Sequence, residues 1–145
     1  MVLHGEWFEC DDHVMRPTVR ADVRSAGGTA YDVRFLVDTA ADCTVLSAEL
    51  VPILPAIQPP PAHLTLSGIG GRAAFGVVAC TLAFPRPGAV PITINGQFAV
   101  FTEPGAIDMC VLGRDVMGHF DLIVSWRHDA VQLLGGHHRF AVAGS

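Results

Sequence analysis

Two neighbouring segments of the chain alternate between apolar and polar side chains, and no other feature constrains the fold as much. Residues 18–24 and 30–37 each place every second side chain on an apolar face, and the turn-forming residues 25–28 lie between them. A period of two predicts half-buried strands, so the pair predicts a β-hairpin. With 10 prolines and 15 glycines, few long helical patterns remain. The predicted fold class is all-β with one short helix near the C-terminus.

The rest of the chain is predicted to add further strands and one helical turn. The first part of the chain is expected to hold an irregular N-terminal arm (1–16) and, after the hairpin, a proline-rich connection (51–61). A long hairpin over 64–84 with a glycine-rich tip at 68–71 follows, and then two strands in 90–102 around an Asn95-Gly96 turn. The last part is expected to hold a strand at 110–112, a helical turn at 114–120, a hairpin of 122–126 with 130–134, and a strand at 139–142. No internal repeat or linker interrupts this series. A single domain over 17–134 is therefore predicted, between the arm and a C-terminal extension (135–145).

Composition excludes several classes of function. The 145 residues carry a formal net charge of -5, so the chain lacks the excess of basic residues that is typical of nucleic-acid-binding proteins. All basic residues are arginine, so lysine-based covalent chemistry is excluded. No apolar run reaches the roughly 18 residues that span a bilayer, and the N-terminus lacks the pattern of a secretory signal. The four cysteines are therefore expected to be reduced thiols of a cytoplasmic protein with no membrane partner.

Asp38 is the main candidate for chemistry, because it follows the apolar residues Phe35-Leu36-Val37 at the end of a predicted strand. An aspartate in this position also serves as an ordinary turn residue, since its carboxylate caps nearby N–H groups. These residues alone leave both interpretations open. The glycines within 68–71 likewise fit a plain hairpin turn. They do not fit a phosphate loop, because neither a Walker lysine nor a helix follows them.

Metal and thiol chemistry have weaker support in the sequence. The seven histidines form no HExxH motif, and the cysteines form no paired CxxC motif, so no metal and no cofactor is expected. Cys43 lies close to Asp38 in sequence, but no histidine stands at a motif-supported position to activate it. We interpret Cys43 as a thiol that lines a pocket.

Three segments occur in an order and at spacings that resemble a known family. They are FLVDTAADCTVLS around Asp38, GIGG at 68–71, and VLGRDVMGHFDLIV from Val111 onward. On these segments the chain resembles the retropepsin-like aspartic proteases, the single-domain, retroviral-type branch of the aspartic peptidases. The resemblance covers roughly residues 17–134. It implies a closed, barrel-like acid-protease fold with one lobe per chain.

The resemblance implies roles for the residues of one loop. Asp38 is similar to the catalytic aspartate of the family. Thr39 is similar to the residue whose hydroxyl bonds across a dimer and locks two active-site loops together. Ala40 and Ala41 continue the same active-site loop.

Other roles implied by the resemblance concern the helix and the flap. Asp42 and Arg114 are similar to the ion pair that ties the active-site loop to the C-terminal helix. We expect that pair to be buried, so that removing one partner costs about 3–5 kcal/mol. Asp115 is interpreted as a helix-start or network residue. The implied flap, which closes over substrate, carries Gly68, Ile69, Gly70 and Gly71.

The implied chemistry needs two carboxylates around one water molecule. Two like charges in contact cannot both ionise, so the pair divides into an acid and a base. The chain has one Asp-Thr motif of this kind and is too short for two lobes, so the second carboxylate is expected from a second copy. A composition that is 50% apolar fits such a homodimer. The predicted function is an aspartic endopeptidase, a hydrolase acting on peptides or proteins.

Ala40 departs from the family pattern, which has glycine after Asp-Thr. If this position needs a positive φ, alanine costs about 1–2 kcal/mol there, and its methyl group can crowd the two-fold axis. A second hypothesis therefore remains open. In it, the chain is a catalytically silent retropepsin-like domain that binds peptides or dimerises.

Overall fold

The computed structural model describes residues 1–68, 71–105 and 109–138, and over these residues the chain is built mainly of β-strands. The strands are β1 (Val2–His4), β2 (Glu6–Glu9), β3 (Met15–Ser25), β4 (Ala30–Val37), β5 (Val45–Leu46), β6 (Ser67–Gly68), β7 (Gly71–Arg72), β8 (Phe75–Arg86), β9 (Ala89–Phe101), β10 (Cys110–Leu112), β11 (Asp121–Ser125) and β12 (Ala130–Leu134). A 3₁₀ helix spans Ala48–Ile53 and the helix α1 spans Arg114–Met117. The predicted fold class is confirmed.

Six strands close into a barrel in the order β3-β4-β10-β5-β9-β8, because β8 pairs back onto β3 between Asp22↔Ala83 and Ser25↔Cys80. β2 extends this sheet beyond β3, whereas β1, β12 and β11 form a separate three-stranded sheet. Large side chains with no solvent exposure fill the barrel, among them Phe35, Phe84, Leu46, Leu82 and Leu112. The closed barrel implied by the resemblance is therefore present.

The alternating segments form the predicted hairpin and carry the chain to Asp38. β3 and β4 pair from Thr18↔Leu36 to Arg24↔Ala30. The apolar face of β3 is buried, with Val19 and Val23 exposed by 2% and 0%. β4 lies parallel to β10, and Val37, its last residue, pairs with Leu112. The chain consequently leaves the barrel at Asp38, beside the end of a second buried strand.

The N-terminal segment is regular, so the prediction of an irregular arm over residues 1–16 is wrong. This segment forms β1, β2 and the start of β3, and β1 pairs with β12 through Leu3↔Leu133. Leu3 is 2% exposed and Trp7 packs against the main core. Burial of these side chains offsets the entropy lost when the segment is ordered. The partner strand that makes this burial possible lies about 130 residues away.

β9 runs without a turn through Asn95 and Gly96, so the prediction of two strands around these residues is also wrong. They pair with Thr81 and Cys80 of β8. A Cβ on Gly96 would lie 3.0 Å from the ring of Phe98, so glycine here makes room for that ring. The turn between β8 and β9 falls at Gly88 instead, where a φ of 68° favours glycine.

The predicted hairpin over 64–84 is much shorter than expected. β6 and β7 pair over two residues each, whereas β8 leaves them and pairs with β9 and β3 to close the barrel. The expected helical turn is present as the shorter α1, and the expected C-terminal hairpin is present as β11 and β12. The predicted strand at 139–142 lies outside the described residues.

Candidate active site

Asp38 begins a tight turn at the end of β4. Its N–H donates to the carbonyl of Leu112 at 3.2 Å, which holds it against β10, and its carbonyl accepts from the N–H of Ala41 at 3.2 Å. The carboxylate oxygen Oδ1 accepts from the N–H of Ala40 at 2.9 Å. Within the described part of the chain, Oδ2 has no hydrogen-bond donor. The turn orients the carboxylate and leaves one of its oxygens available to bind another molecule.

The Asp38 turn lies at the surface of the single chain. Asp38 is half-buried, and Thr39 and Ala40 are exposed. In the described residues, the non-glycine positions with positive φ are His13, Ala56 and Asp129. Ala40 is not among them. The cost of about 1–2 kcal/mol for an alanine with a positive φ therefore does not apply to Ala40, and the turn accepts this residue without that backbone strain.

The segment after Asp38 is fastened to the start of α1 by backbone hydrogen bonds. The N–H of Arg114 donates to the carbonyl of Ala41 at 2.9 Å, and that of Asp115 donates to the carbonyl of Asp42 at 3.3 Å. Gly113 permits this approach, since a Cβ there would lie 2.3 Å from the carbonyl carbon of Cys43. A side chain at residue 113 would push the two segments apart.

Thr44 and Asp115 form a polar network inside this junction. The Thr44 hydroxyl donates to Asp115 Oδ1 at 2.7 Å and accepts from the N–H of Gly113 at 3.0 Å. The same Asp115 oxygen accepts from the N–H groups of Thr44 and Val116, both at 2.9 Å. Asp115 thus occupies a network position at the helix start. Thr44 has no solvent exposure, and its role was not predicted from the sequence. The feature that could have indicated it is a hydroxyl residue directly before the apolar pair Val45-Leu46.

Asp42 and Arg114 form an ion pair, but at the surface. Arg114 Nη2 donates to Asp42 Oδ1. The two side chains are 81% and 63% exposed, respectively. The expectation of a buried pair is therefore wrong for the single chain. Ala41 and Cys43, the neighbours of Asp42, take the inward positions, so its carboxylate extends into solvent. A pair in solvent is worth about 0–1 kcal/mol.

Cys43 lies at the base of the predicted flap. It packs against a small buried cluster of Val45, Ala99 and Phe101, which also contacts Leu66, Ala73 and Phe75 on either side of β6 and β7. Burial raises the pKa of the Cys43 thiol, and the carboxylates of Asp115 and Asp42 raise it further. Because the thiolate is the nucleophilic form, this thiol is poorly suited to nucleophilic chemistry.

Of the predicted flap residues, the structure describes the two outer glycines. Gly68 in β6 pairs with Gly71 in β7, and Ser67 pairs with Arg72. Ile69 and Gly70, which would form the tip, lie outside the described residues. Leu66 and Ala73, on either side of this two-residue ladder, pack against the small cluster that Cys43 also contacts. The hairpin and the Asp38 loop are therefore supported by the same buried cluster.

A retropepsin-like aspartic protease from Rickettsia conorii superposes with a TM-score of 0.54 at 16% sequence identity, over 92% of this chain and 88% of that chain. The chain has the retropepsin-like fold. EIAV protease complexed with the inhibitor HBY-793 superposes with a TM-score of 0.49 at 23% identity, over 71% and 86% of the two chains. No known family profile and no curated protein sequence matches the chain.

Two cavities of this retropepsin-like chain, of about 480 and 470 Å³, lie away from Asp38. The first is between β1, β3 and the β8–β9 turn, where Leu3, Val19 and Phe84 line it. The second follows the outer surface near Arg24 and Asn95. Asp38 lines neither cavity. Among the described residues, no helix is both long and apolar enough to cross a membrane.

Proposed function

We propose that the protein is a homodimeric aspartic endopeptidase in which Asp38 from each of two copies holds one water molecule. The observation that carries the proposal is the Asp38 turn. It ends a buried strand of a retropepsin-like barrel, its carboxylate is oriented by the Ala40 N–H, and its outer surface is exposed. A lone carboxylate cannot supply both the acid and the base of this reaction, so the site is complete only in a dimer.

In the proposed reaction, one Asp38 is ionised and the other is protonated. The ionised carboxylate removes a proton from the water as its oxygen attacks the peptide carbonyl carbon. The protonated carboxyl donates its hydrogen bond, and then its proton, to the carbonyl oxygen. Collapse of the tetrahedral intermediate breaks the C–N bond and expels the amine, which takes the proton that the first Asp38 removed from the water. The proton on the former carbonyl oxygen returns to the second Asp38, so that the dyad again holds one proton. Neither a metal nor a covalent nucleophile takes part.

Other residues of the two loops have supporting roles in the proposal. Thr39 is exposed beside Asp38, where its hydroxyl can bond to the loop of the second copy. The flap residues Gly68, Ile69, Gly70 and Gly71 would cover the bound peptide and keep bulk water from the site. The proposed compartment is the cytoplasm, because the spacing of the four cysteines favours reduced thiols over disulfides.

The alternative, a catalytically silent domain that binds peptides or dimerises, rests on Ala40. Its backbone argument is weakened, because Ala40 does not have a positive φ. The steric argument for this alternative applies only at the two-fold axis, where two Ala40 methyl groups would approach one another. An error of about 1 Å in the placement of the carboxylates can lower the rate roughly a hundredfold.

The test is digestion of an unfolded, alkylated protein between about pH 4 and 7, with fragments identified by mass spectrometry. Wild type should cleave with a bell-shaped pH profile. Asp38→Asn should lower the rate by about 10²–10⁴-fold or more while leaving the dimer folded, because the amide cannot exchange the proton. Asp129→Asn, in an exposed turn with a φ of 48°, is the matched control and should keep full activity.

Two outcomes would overturn the proposal. One is cleavage that persists undiminished in Asp38→Asn. The other is no cleavage by a verified dimer anywhere in that pH range. If Ala40→Gly then restores cleavage, the silent-domain alternative is correct and the methyl group is its cause.

A further inference from the structure

A gap in the strand pairing of β3 lies at Arg20. β4 occupies one side of β3, and on the other side β2 pairs with residues 15–18 and β8 with residues 22–25. Between these two ladders, among the described residues, Arg20 has a strand partner in β4 alone. The first cavity, of about 480 Å³, lies at this gap, since its lining includes His4, Arg20 and Pro85.

The backbone groups of Arg20 point into the gap. The Ser25 N–H donates to the Thr29 carbonyl at 3.0 Å, and the Ser25 carbonyl accepts from the Gly28 N–H at 3.0 Å, so Ser25 points toward the β4 side. In an antiparallel sheet, both backbone groups of a residue point to the same side, and successive residues alternate. The even-numbered residues of β3 therefore point away from β4, and Arg20 directs its N–H and C=O toward the cavity.

Neither neighbouring strand closes the gap. The register of β8 would place Pro85 opposite Arg20, and proline has no N–H to donate. The register of β2 would place His4 opposite Arg20. At Gly5, however, the N–H donates to the Val131 carbonyl at 2.8 Å, and β1 pairs with β12 instead. The gap thus results from one proline and one change of partner strand.

β1 supplies further outward backbone groups beside the gap. The Met1 carbonyl and the Gly5 N–H bond to residues 135 and 131, so the odd-numbered residues here point toward β12. By the same alternation, Val2 and His4 direct their N–H and C=O groups away from β12. Both residues line the cavity. Among the described residues, no strand pairs with this side of β1.

The cavity combines apolar walls with a cation that is free to bind a carboxylate. Three side chains of the main core line it, namely Leu3, Val19 and Phe84. Glu6 and Arg20, which also line it, are already in ion pairs with residues 34 and 32. Arg86 forms no ion pair with any described residue, and its Nε donates to the Val90 carbonyl at 2.7 Å. Its remaining N–H groups can therefore receive an anionic group.

We propose that this cavity, the β1 slot (Val2, His4, Arg20 and Arg86 with the three apolar walls), binds an extended peptide of a partner protein that carries an apolar side chain and a carboxylate. The peptide backbone bonds to the outward groups of β1 and Arg20, as in the addition of a strand to a sheet edge. The apolar side chain packs on the core walls, and the carboxylate pairs with Arg86.

The backbone groups favour a peptide over a lipid as the occupant. A lipid chain would suit the apolar walls, but it would cover the N–H and C=O groups of Val2, His4 and Arg20 without bonding to them. A peptide offers a donor and an acceptor at every residue. The volume also lies within the roughly 300–1,000 Å³ range of ligand pockets. Because Asp38 does not line the slot, the inference goes beyond the proposed function and does not depend on it.

Fluorescence polarisation with two labelled tetrapeptides tests the charge. The probes are fluorescein-Ala-Leu-Ala-Asp amide, whose Leu and Asp side chains share one face of a strand, and its Asn counterpart. Arg86→Gln should weaken binding of the Asp peptide about tenfold or more, because it removes a charge-assisted hydrogen bond, and should leave the Asn peptide unaffected. Arg127→Gln, at an exposed turn arginine, is the matched control and should bind both peptides as wild type does.

Hydrogen exchange followed by NMR tests the backbone pairing without any substitution. In the free protein, the amides of Val2, His4 and Arg20 should exchange faster than those of Leu3 and Val19, which point toward partner strands. Saturation with the Asp peptide should protect the first three and leave the other two unchanged. As a second test, His4→Pro removes one outward N–H and no bond to β12, so it should weaken binding about tenfold. His4→Ala keeps that N–H and should bind normally.

The outcomes distinguish this inference from the proposed function. Unchanged binding of the Asp peptide in Arg86→Gln, no added protection at His4 and Arg20, or equal protection by decanoate would overturn the peptide site. Binding that disappears in Asp38→Asn would place the peptide at the proposed active site instead, and would also overturn it. Equal binding by wild type and Asp38→Asn, with the predicted protection but without cleavage of any protein, would support the slot and contradict the proposed activity.

Discussion

Replacing Thr44 by valine removes one hydroxyl from the junction between the Asp38 loop and α1 and keeps the shape of the side chain. In the native chain this hydroxyl accepts from the Gly113 N–H at 3.0 Å and donates to Asp115 Oδ1 at 2.7 Å. Thr44 has no solvent exposure, and Gly113 is also buried. Water cannot replace the lost acceptor without opening the junction.

The expected loss is the sum of two unequal contributions. The Gly113 N–H would be buried without an acceptor, which costs about 1–3 kcal/mol. Asp115 would lose one donor but keep the N–H groups of Thr44 and Val116 on the same oxygen. That second contribution is therefore smaller, about 1 kcal/mol. The free energy of unfolding should fall by about 2–4 kcal/mol, a large part of the 5–15 kcal/mol typical of a domain.

Urea unfolding followed by tryptophan fluorescence measures this change. The protein concentration must be the same for all variants, because the proposed homodimer would become more stable as concentration rises. Thr44→Ser is the matched control: it keeps the hydroxyl and removes a buried methyl group, at a cost of about 1 kcal/mol. Thr44→Val should therefore be clearly less stable than Thr44→Ser, although valine buries more apolar surface.

The reasoning would be refuted if Thr44→Val proved as stable as Thr44→Ser or more so. Valine would then recover more by apolar burial than the hydrogen bonds contribute, and the network could not be what holds the loop to α1. An intermediate check is proteolysis with trypsin, which should cut near Arg114 sooner in Thr44→Val if the junction has opened.

Two further predictions follow from the geometry. Arg114→Ala should lower the free energy of unfolding by less than about 1 kcal/mol, because the ion pair with Asp42 lies in solvent. A double-mutant cycle with Asp42→Ala should give an equally small coupling energy. A loss of about 3 kcal/mol or more would mean that assembly removes the pair from solvent. Stability should also decline above about pH 9, since burial raises the pKa of the Cys80 thiol from 9.0 to about 11 and that of Cys110 to about 12. The unfolded thiols ionise first while the folded ones stay protonated, so rising pH favours unfolding, by up to about 1.4 kcal/mol per pH unit for each thiol. Urea midpoints at pH 8 and 10 measure this, and Cys80→Ala should flatten the decline; an equally steep decline in that variant would contradict the assignment.

Local pattern was a reliable guide wherever burial depended on residues near one another in the chain. The period-two alternation of residues 18–24 and 30–37 is a property of neighbouring side chains, and it identified β3 and β4. It failed at Asn95-Gly96, whose composition is typical of a hairpin turn. There, a long partner strand and the ring of Phe98 outweighed local preference.

The position of Asp38 at the end of an apolar strand could be read from the sequence alone, because a carboxylate that follows a buried run must leave the core. Only the tertiary structure decided what holds the loop after Asp38 in place. The contacts of Thr44 with Gly113 and Asp115 join segments about 70 residues apart, and they exist because β4 and β10 lie parallel and adjacent. Asp42 extends into solvent because Ala41 and Cys43 take the inward positions of its segment, and Arg114 pairs with it there. Residue types determine which bonds are possible, whereas strand order and register determine which groups come into contact and whether water reaches them.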